Sequence, residues 1–328
     1  MKEPGNGTRQ AQRNGQEQGT EEIMQKAAVI GIGSNSVRML VVLIEEDGFT
    51  RLTRDREGTR LFAGLDQAGN LSPESMAKTG AAVARMAGSA RKIGCDRLNI
   101  FATSASRDAR NGESFLQLLR DKTGVEPEII SGEEEAVLSF LGATEVAPPG
   151  TKACGVIDID GGSTELVVGE GDRIDMAISC QMGAVRLYRL LRIDRAEDMP
   201  AVEKAAEEVL TEKWQTVKNP PEIPKVWIGT GGTFTALAAL TKGIRWTDRS
   251  FMHGTCITRE AIRNIGIKLA DMSVEERLKL EGLQPSRADI VVHGICILLG
   301  IMQSLGIDRI LVSEYGNLDG YIRKHYFG

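Results

Sequence analysis

The sequence predicts an α/β protein made of two similar halves facing each other across a cleft. Three observations carry that prediction. A strand–glycine/serine loop–strand–strand pattern opens at Ala27 and opens again at Ala153. After each opening, apolar runs of strand length alternate with helix-length segments, which marks layered α/β domains. No Pro/Gly/Ser-rich linker divides the halves, so they are expected to be tightly joined.

Residues 1–26 are rich in Gly, Gln and Asn and nearly free of apolar residues until Ile23. They cannot repay the entropy of ordering, so a disordered tail is expected. The first domain is expected over 27–147 and the second over 148–328, with the final helix placed to pack back on the first. Ala27–Ile32 and Val37–Ile44 read as buried strands around the loop Gly33–Ser36. Asp47-Gly48 is a hairpin turn, and Phe49–Asp55 continues as a third strand. Ser72-Pro73-Glu74 starts a helix running to Ile93, with Met76, Val83, Met86 and Ala90 on one face. Arg97–Thr103 is a strand, Asn111–Thr123 a helix and Glu126–Ile130 a strand. Ser131 then caps a helix, with Glu134 as its capping-box partner.

In the second half, Gly155–Ile159 and Glu165–Val168 are strands around the loop Asp160–Thr164, and Arg173–Ser179 is a third strand. Helices are expected over Ala184–Leu191 and Ala196–Val217. Lys225–Ile228 is a strand, Gly229–Thr233 a glycine-rich loop, and Phe234–Leu240 opens a helix. Further helices cover Arg259–Leu269 and Arg287–Leu305. Arg309–Val312 is the last strand, before a short terminal helix.

Composition excludes several classes of function. The 328 residues carry 40 Lys+Arg against 45 Asp+Glu, a net charge of −5. A general nucleic-acid binder usually carries the opposite balance, so any anion site must be local. The longest apolar stretch, Ile290–Met302, is broken by His293 and falls short of the ~18–20 residues of a membrane span. There is no apolar leader segment, so a secretory signal is not expected. The five cysteines are dispersed without a CxxC pair, as suits reduced thiols in the cytoplasm. The three histidines are too scattered for a zinc site.

Chemistry concentrates in three loops, Gly33–Ser36, Gly161–Thr164 and Gly229–Thr233. Glycine lets backbone N–H groups approach an anion, and Ser, Thr and Asn add short donors, so each is a candidate phosphate cradle. One such loop alone is more simply a tight turn; three in corresponding places point to phosphate. None matches the P-loop or GxGxxG patterns. Asp158 and Glu165 flank the second loop, and a tight turn would bring both carboxylates to one end of a hairpin. Hard oxygen ligands beside a phosphate loop suit Mg²⁺. Helix capping alone explains Glu133 and Glu134, and spacing does not set Glu135 apart from them.

The segments GIGSNSVRML (31–40), SGEEEA (131–136), DIDGGSTELVVGEG (158–171), GAVRL (183–187), GTGGTFTALA (229–238), SRADIVVHGICIL (286–298) and VSEYGNLDG (312–320) resemble the exopolyphosphatase/guanosine pentaphosphate phosphohydrolase family. They occur in that family's order and span nearly the whole chain after the tail. The resemblance is to its short, two-domain members. It implies two RNase H-like domains of the actin/sugar-kinase/Hsp70 superfamily with phosphates held in the cleft. It implies Glu135 as catalytic base, Arg107 as a grip on a phosphoryl oxygen, and Asp158 and Glu165 as Mg²⁺ ligands. Ser34, Asn35, Ser36, Gly161, Gly162, Ser163, Thr164, Gly231, Gly232 and Thr233 would contact phosphate.

The chain departs from the family pattern in three places. Gly31 stands where the family's first loop has an aspartate, and Asp160 replaces a glycine of the second loop. VSEYGNLDG differs from the usual VSDxGLREG. Asp160 is expected to substitute in part for the missing aspartate, as a third metal ligand.

The expected activity is Mg²⁺-dependent exopolyphosphatase, releasing orthophosphate from the ends of inorganic polyphosphate. Its nearest rival is hydrolysis of guanosine pentaphosphate to tetraphosphate, and a rival of another class is a silent phosphate or nucleotide sensor. A monovalent cation such as K⁺ and a homodimer are left open. A polyanionic substrate suggests a cationic track. Arg51, Arg54, Arg56 and Arg60 form one cluster, and Arg186, Arg189 and Arg192 another, at helical spacing. Taken singly, each cluster is more simply a solvated face.

Overall fold

The computed structural model describes residues 25–327. The tail expected over 1–26 therefore lies outside the described residues as far as residue 24. Gln25 and Lys26, counted with it, instead open the first strand.

In the first lobe β1 (Gln25–Ile32), β2 (Val37–Glu45) and β3 (Gly48–Glu57) form an antiparallel meander. Helix α1 (Pro73–Ile93) leads to β4 (Arg97–Ala102), which pairs parallel to β1. Short α2 (Ser104–Asp108) and α3 (Gly112–Thr123) lead to β5 (Pro127–Ile129) and then α4 (Gly132–Ala143). The sheet order is β3-β2-β1-β4-β5. With neighbours on both edges and helices on both faces, β1 is buried throughout its Ala27–Ile32 run, which explains its unbroken apolar sequence.

The second lobe repeats the plan. β6 (Cys154–Ile159), β7 (Thr164–Glu170) and β8 (Arg173–Cys180) form the meander. Helices α5 (Ala184–Leu190) and α6 (Met199–Gln215) precede β9 (Val226–Thr230), parallel to β6. Then follow α7 (Gly232–Lys242), β10 (Cys256–Thr258), α8 (Arg259–Ala270), α9 (Val274–Arg277), α10 (Val291–Ser304), β11 (Arg309–Val312) and α11 (Asn317–Phe327). The order β10-β11-β9-β6-β7-β8 contains the first lobe's arrangement plus an antiparallel edge strand, β10. A three-strand meander extended by parallel strands, occurring twice, is the RNase H-like fold in both lobes.

Several local expectations change. Ser131 accepts the Glu134 N–H, but the reciprocal half of the capping box is missing because the Glu134 carboxylate pairs with Lys324 of α11. Helix 196–217 divides into a 3₁₀ turn, Ala196–Asp198, and α6. The helix expected from Arg287 begins at Val291, after a 3₁₀ turn at Pro285–Arg287. Helices α2 and α9 and strand β10 went unread, being three to five residues long with no clear period. The loop expected over Gly229–Thr233 shrinks to a corner at Gly231, whose φ of 90° demands glycine.

Core packing explains the interrupted apolar stretch. Every residue of α10 from Val291 to Met302 is buried, in a cluster with β6, α6 and α7. No helix among the described residues is long and apolar enough to cross a membrane. Helix α4 serves both lobes. Its Leu138 joins Val29 and Leu40 of the first sheet and Leu318, Tyr321 and Ile322 of α11, while Ala136 and Phe140 pack on Val156 and Ile228 of the second. Helices α4 and α11 approach so closely that a Cβ on Gly320 would sit 1.8 Å from the Leu138 carbonyl oxygen.

Candidate active site

The antiparallel register of β6 and β7 sets Asp158 directly opposite Glu165. β8 in turn sets Ser179 opposite Glu165, and the Ser179 hydroxyl donates to Glu165 Oε1 at 2.8 Å. Glu135 lies in the first turn of α4, and Ser139, one turn later on the same face, donates to Asp158 Oδ2 at 2.6 Å. α4 thus presents Glu135 and Ser139 to the β6–β7 hairpin. Of the three consecutive glutamates only Glu135 is buried, at 0% exposure. A Cβ on Gly231 would come within 2.6 Å of Asp158 Oδ1, so the corner after β9 closes against this carboxylate.

Glu135 Oε1, Asp158 Oδ1, Asp160 Oδ2 and Glu165 Oε2 are all buried and accept no hydrogen bond. Burial first, and then the Asp160 charge, push Glu135 up to about 8 against the pull of Arg107. The same two causes raise Asp158 to about 7. Glu165 is held well above the usual carboxylate range by burial and by the charges of Glu135, Asp158 and Asp160. Among the described residues no three His, Cys, Asp or Glu side chains close into a ready-made metal cage. Mg²⁺ does not require one, since it keeps water and phosphate oxygens around one or two carboxylates. A donor set of oxygens alone, crowded in charge and unpartnered, fits that ion.

The loops around these carboxylates interlock. The Ser34 and Ser104 hydroxyls share a hydrogen bond of 2.8 Å. A Cβ on Gly161 would lie 2.9 Å from Ser34 Cβ, and one on Gly162 would lie 2.3 Å from Ser104 Oγ, so the second loop stacks directly on the first lobe. Asn35 Nδ2 donates to the Ser286 carbonyl at 3.4 Å, and its Oδ1 is unpartnered. Ser36 closes the first loop through its carbonyl, which accepts from Gly33 N at 3.0 Å. The Ser163 and Thr233 hydroxyls are buried without partners, whereas Thr164 donates to the Met182 carbonyl and so pins its loop. Gly232 lies against Arg287, whose Cζ would be 1.8 Å from a Cβ there. Helix α2, absent from the sequence reading, carries Arg107. Its Nη1 donates to the Ile130 carbonyl at 2.9 Å and faces Glu135 Oε2 at 3.4 Å, leaving Nη2 free.

The arginine clusters divide. Arg54 and Arg56 line a cavity together with Arg38 and Arg249. A bulge opposite Val41/Val42 puts Arg51 in register with Val42, on the face that also carries Arg54 and Arg56. Arg51 Nε and Arg54 Nη2 both donate to Asp319 Oδ1 at 2.7 Å. Arg60 pairs with Asp289 across the lobes. Arg186 pairs with Asp108, Arg189 donates to the Phe62 and Leu65 carbonyls, and Arg192 is exposed beside Asp194. Arg186 and Arg189 are therefore occupied in joining the two lobes, whereas Arg192 stands on the surface. Sequence reasoning missed Arg38, Arg249 and Arg287. Arg38 left a signal, a lone charge within the apolar run of β2. Its Nη2 lies 3.6 Å from Asp160 Oδ2.

Two departures from the family pattern meet in space. A Cβ on Gly31 would stand 2.8 Å from Leu318 Cδ2 and 3.1 Å from Phe101 Cζ, so the 312–320 segment occupies the space beside residue 31. Asp160 contributes an open carboxylate oxygen to the cleft from the opposite loop.

Comparison with known proteins agrees with this architecture. The sequence model of the Ppx/GppA phosphatase family matches residues 40–325. Exopolyphosphatase 2 of Mycobacterium tuberculosis is 31% identical over 313 residues, covering 90% of this chain and 97% of the relative. Among solved structures, an exopolyphosphatase-like protein superposes with a TM-score of 0.84 at 28% identity, over 92% of this chain and 97% of its own. The Aquifex aeolicus PPX-GPPA enzyme superposes with a TM-score of 0.77 at 27% identity, over 92% of this chain and all (100%) of its own. With the family model running through both lobes, from residue 40 to 325, the chain belongs to the Ppx/GppA phosphatase family and is a phosphoanhydride hydrolase.

Proposed function

We propose that the protein hydrolyses the terminal phosphoryl group of linear inorganic polyphosphate with the help of Mg²⁺, releasing orthophosphate in the cytoplasm. The observation that carries this reading is the set of unpartnered carboxylate oxygens, with Glu135 on one side and Asp158 and Glu165 in register on the other. Asp158 and Glu165, with Asp160, would hold the ion, which supplies charge neutralisation at the phosphoryl oxygens. The reaction passes through a loose transition state with charge spread over the outer oxygens. Arg107 Nη2 and the Ser163 and Thr233 hydroxyls are free to donate to those oxygens. Glu135 takes a proton from the attacking water, and its raised proton affinity suits a base working near neutrality. Arg107 keeps that carboxylate oriented.

Polyphosphate is favoured over guanosine pentaphosphate because four arginines, Arg38, Arg54, Arg56 and Arg249, line the adjoining cavity. Phosphate release from long-chain polyphosphate, with and without Mg²⁺, tests the proposal beside release from guanosine pentaphosphate. Glu135→Gln is expected to lose about 10²–10⁴-fold in turnover, the usual worth of general-base help, while unfolding normally. A fully active variant, or faster release from the nucleotide, overturns the reading. Binding without turnover returns the protein to the sensor class.

A further inference from the structure

The two carboxylates in register on the β6–β7 hairpin are each held by a serine hydroxyl through one oxygen. Ser139 donates to Asp158 Oδ2 at 2.6 Å, and Ser179 donates to Glu165 Oε1 at 2.8 Å. The other oxygen of each, Asp158 Oδ1 and Glu165 Oε2, is buried and accepts nothing. Two acids on different strands, tied by serines from different elements, thus end in the same state.

Neither serine is free to turn away. Ser139 is fully buried in α4, one turn beyond Glu135. Ser179 is pressed against the start of the same helix. A Cβ on Gly132 would lie 2.5 Å from Ser179 Cβ and 2.7 Å from its Oγ, so α4 lies this close only because residue 132 lacks one. The space before Asp158 Oδ1 is kept in the same way, since a Cβ on Gly231 would fill it at 2.6 Å.

A carboxylate tied through one oxygen offers the other alone. Mg²⁺ suits such ligands, because its small octahedral shell keeps several waters beside one or two carboxylates. Ca²⁺ gathers about six to eight oxygens and often takes a carboxylate through both of its own. Partners that orient the ligands of a metal, without touching it, tune what the site holds. A hydroxyl that merely satisfied a buried acceptor would leave the choice of ion unaffected.

We propose that Ser139 and Ser179 are positioning residues that confine Asp158 and Glu165 to one-oxygen contact with a divalent cation, and thereby select Mg²⁺ over Ca²⁺. This role rests on the reading of Asp158 and Glu165 as the residues that hold the ion, and it assigns the choice of ion to two residues outside that set.

Displacement of Mn²⁺ from the full-length protein, followed by its electron paramagnetic resonance signal without substrate, reads ion preference apart from turnover. In the wild type, Mg²⁺ is expected to displace Mn²⁺ at a lower concentration than Ca²⁺ does. Ser139→Ala and Ser179→Ala should each narrow that gap by about tenfold, the lower end of what loss of such an outer partner does to metal affinity. Ser179→Thr keeps the hydroxyl and should keep the gap. Ser179, being only partly buried, provides variants that fold if Ser139→Ala does not. An unchanged gap in the alanine variants, or equal displacement by the two ions in the wild type, overturns the selection; phosphate release from polyphosphate in the same protein would leave the hydrolase reading standing. A protein that binds no Mn²⁺ overturns the metal assignment and the selection with it. A gap that depends on the serines, in a protein that releases no phosphate, would sink the hydrolase reading and leave the selection standing.

Discussion

Glu133, Glu134 and Glu135 are adjacent and chemically identical, yet their surroundings give them different work. Glu134 reaches out to Lys324, while Glu135 turns inward beneath Arg107. A carboxyl that binds its proton more tightly when folded than when unfolded stabilises the fold at low pH. Glu135 and Asp158 move from ordinary values of 4.5 and 3.8 to about 8 and about 7. Their contribution is fully present below about pH 4 and is lost as pH rises toward 8. The melting temperature of the metal-free protein should therefore fall between about pH 5 and 8, and Glu135→Gln should flatten that slope. A melting temperature rising over this window would contradict the burial of these acids. At residue 31 a side chain would press on Leu318 Cδ2 and Phe101, so a carboxylate there must displace Leu318. Gly31→Asp should lower the urea midpoint, through a charge forced against apolar side chains, and should not strengthen Mg²⁺ binding. An unchanged midpoint would show that Leu318 moves aside freely.

At the scale of elements, β3 and α11 depend on each other. The bulge in β3 brings Arg51 to the face of Arg54, and Asp319 ties both to the first turn of α11. The Arg51 guanidinium carbon also lies over the Tyr315 ring, 3.6 Å from its centroid. Removing the acid leaves two guanidiniums facing each other in a partly buried site. Asp319→Ala should destabilise the protein by about 3 kcal/mol, the usual order for breaking a buried ion pair, as read from urea unfolding. A loss under about 0.5 kcal/mol would place the network among ordinary surface pairs. Two short elements explain what the sequence reading could not see. Helix α2 places Arg107 and the corner at Gly231 seals Asp158, and both are too short to leave a periodic pattern.

At the scale of the whole molecule, function depends on two lobes meeting. Asn35 bonds to Ser286, Arg60 to Asp289 and Arg186 to Asp108, each across the cleft. Charge is distributed to match: the chain is acidic overall, but guanidiniums gather at one cavity. A polyanion drawn to such a local field should bind less tightly as salt rises, so KM for long-chain polyphosphate should climb steeply between about 50 and 200 mM salt. Arg192→Ala, at an exposed pair outside the cleft, should leave KM unchanged. A KM insensitive to salt would remove the electrostatic account of substrate binding.

The sequence by itself determined ten of the eleven strands among the described residues, the repeated meander and the pairing of Asp158 with Glu165, because alternation, turn chemistry and a short hairpin are local facts carried within a few residues. It also marked the loops that interlock at Ser34, Gly161 and Gly162. Only the tertiary structure decided which of three glutamates is buried, which arginines face the cavity and which are bound elsewhere, and that Gly31 meets Leu318. Those outcomes depend on desolvation and on contacts between residues hundreds of positions apart, and neither quantity is written in the spacing of residues along the chain.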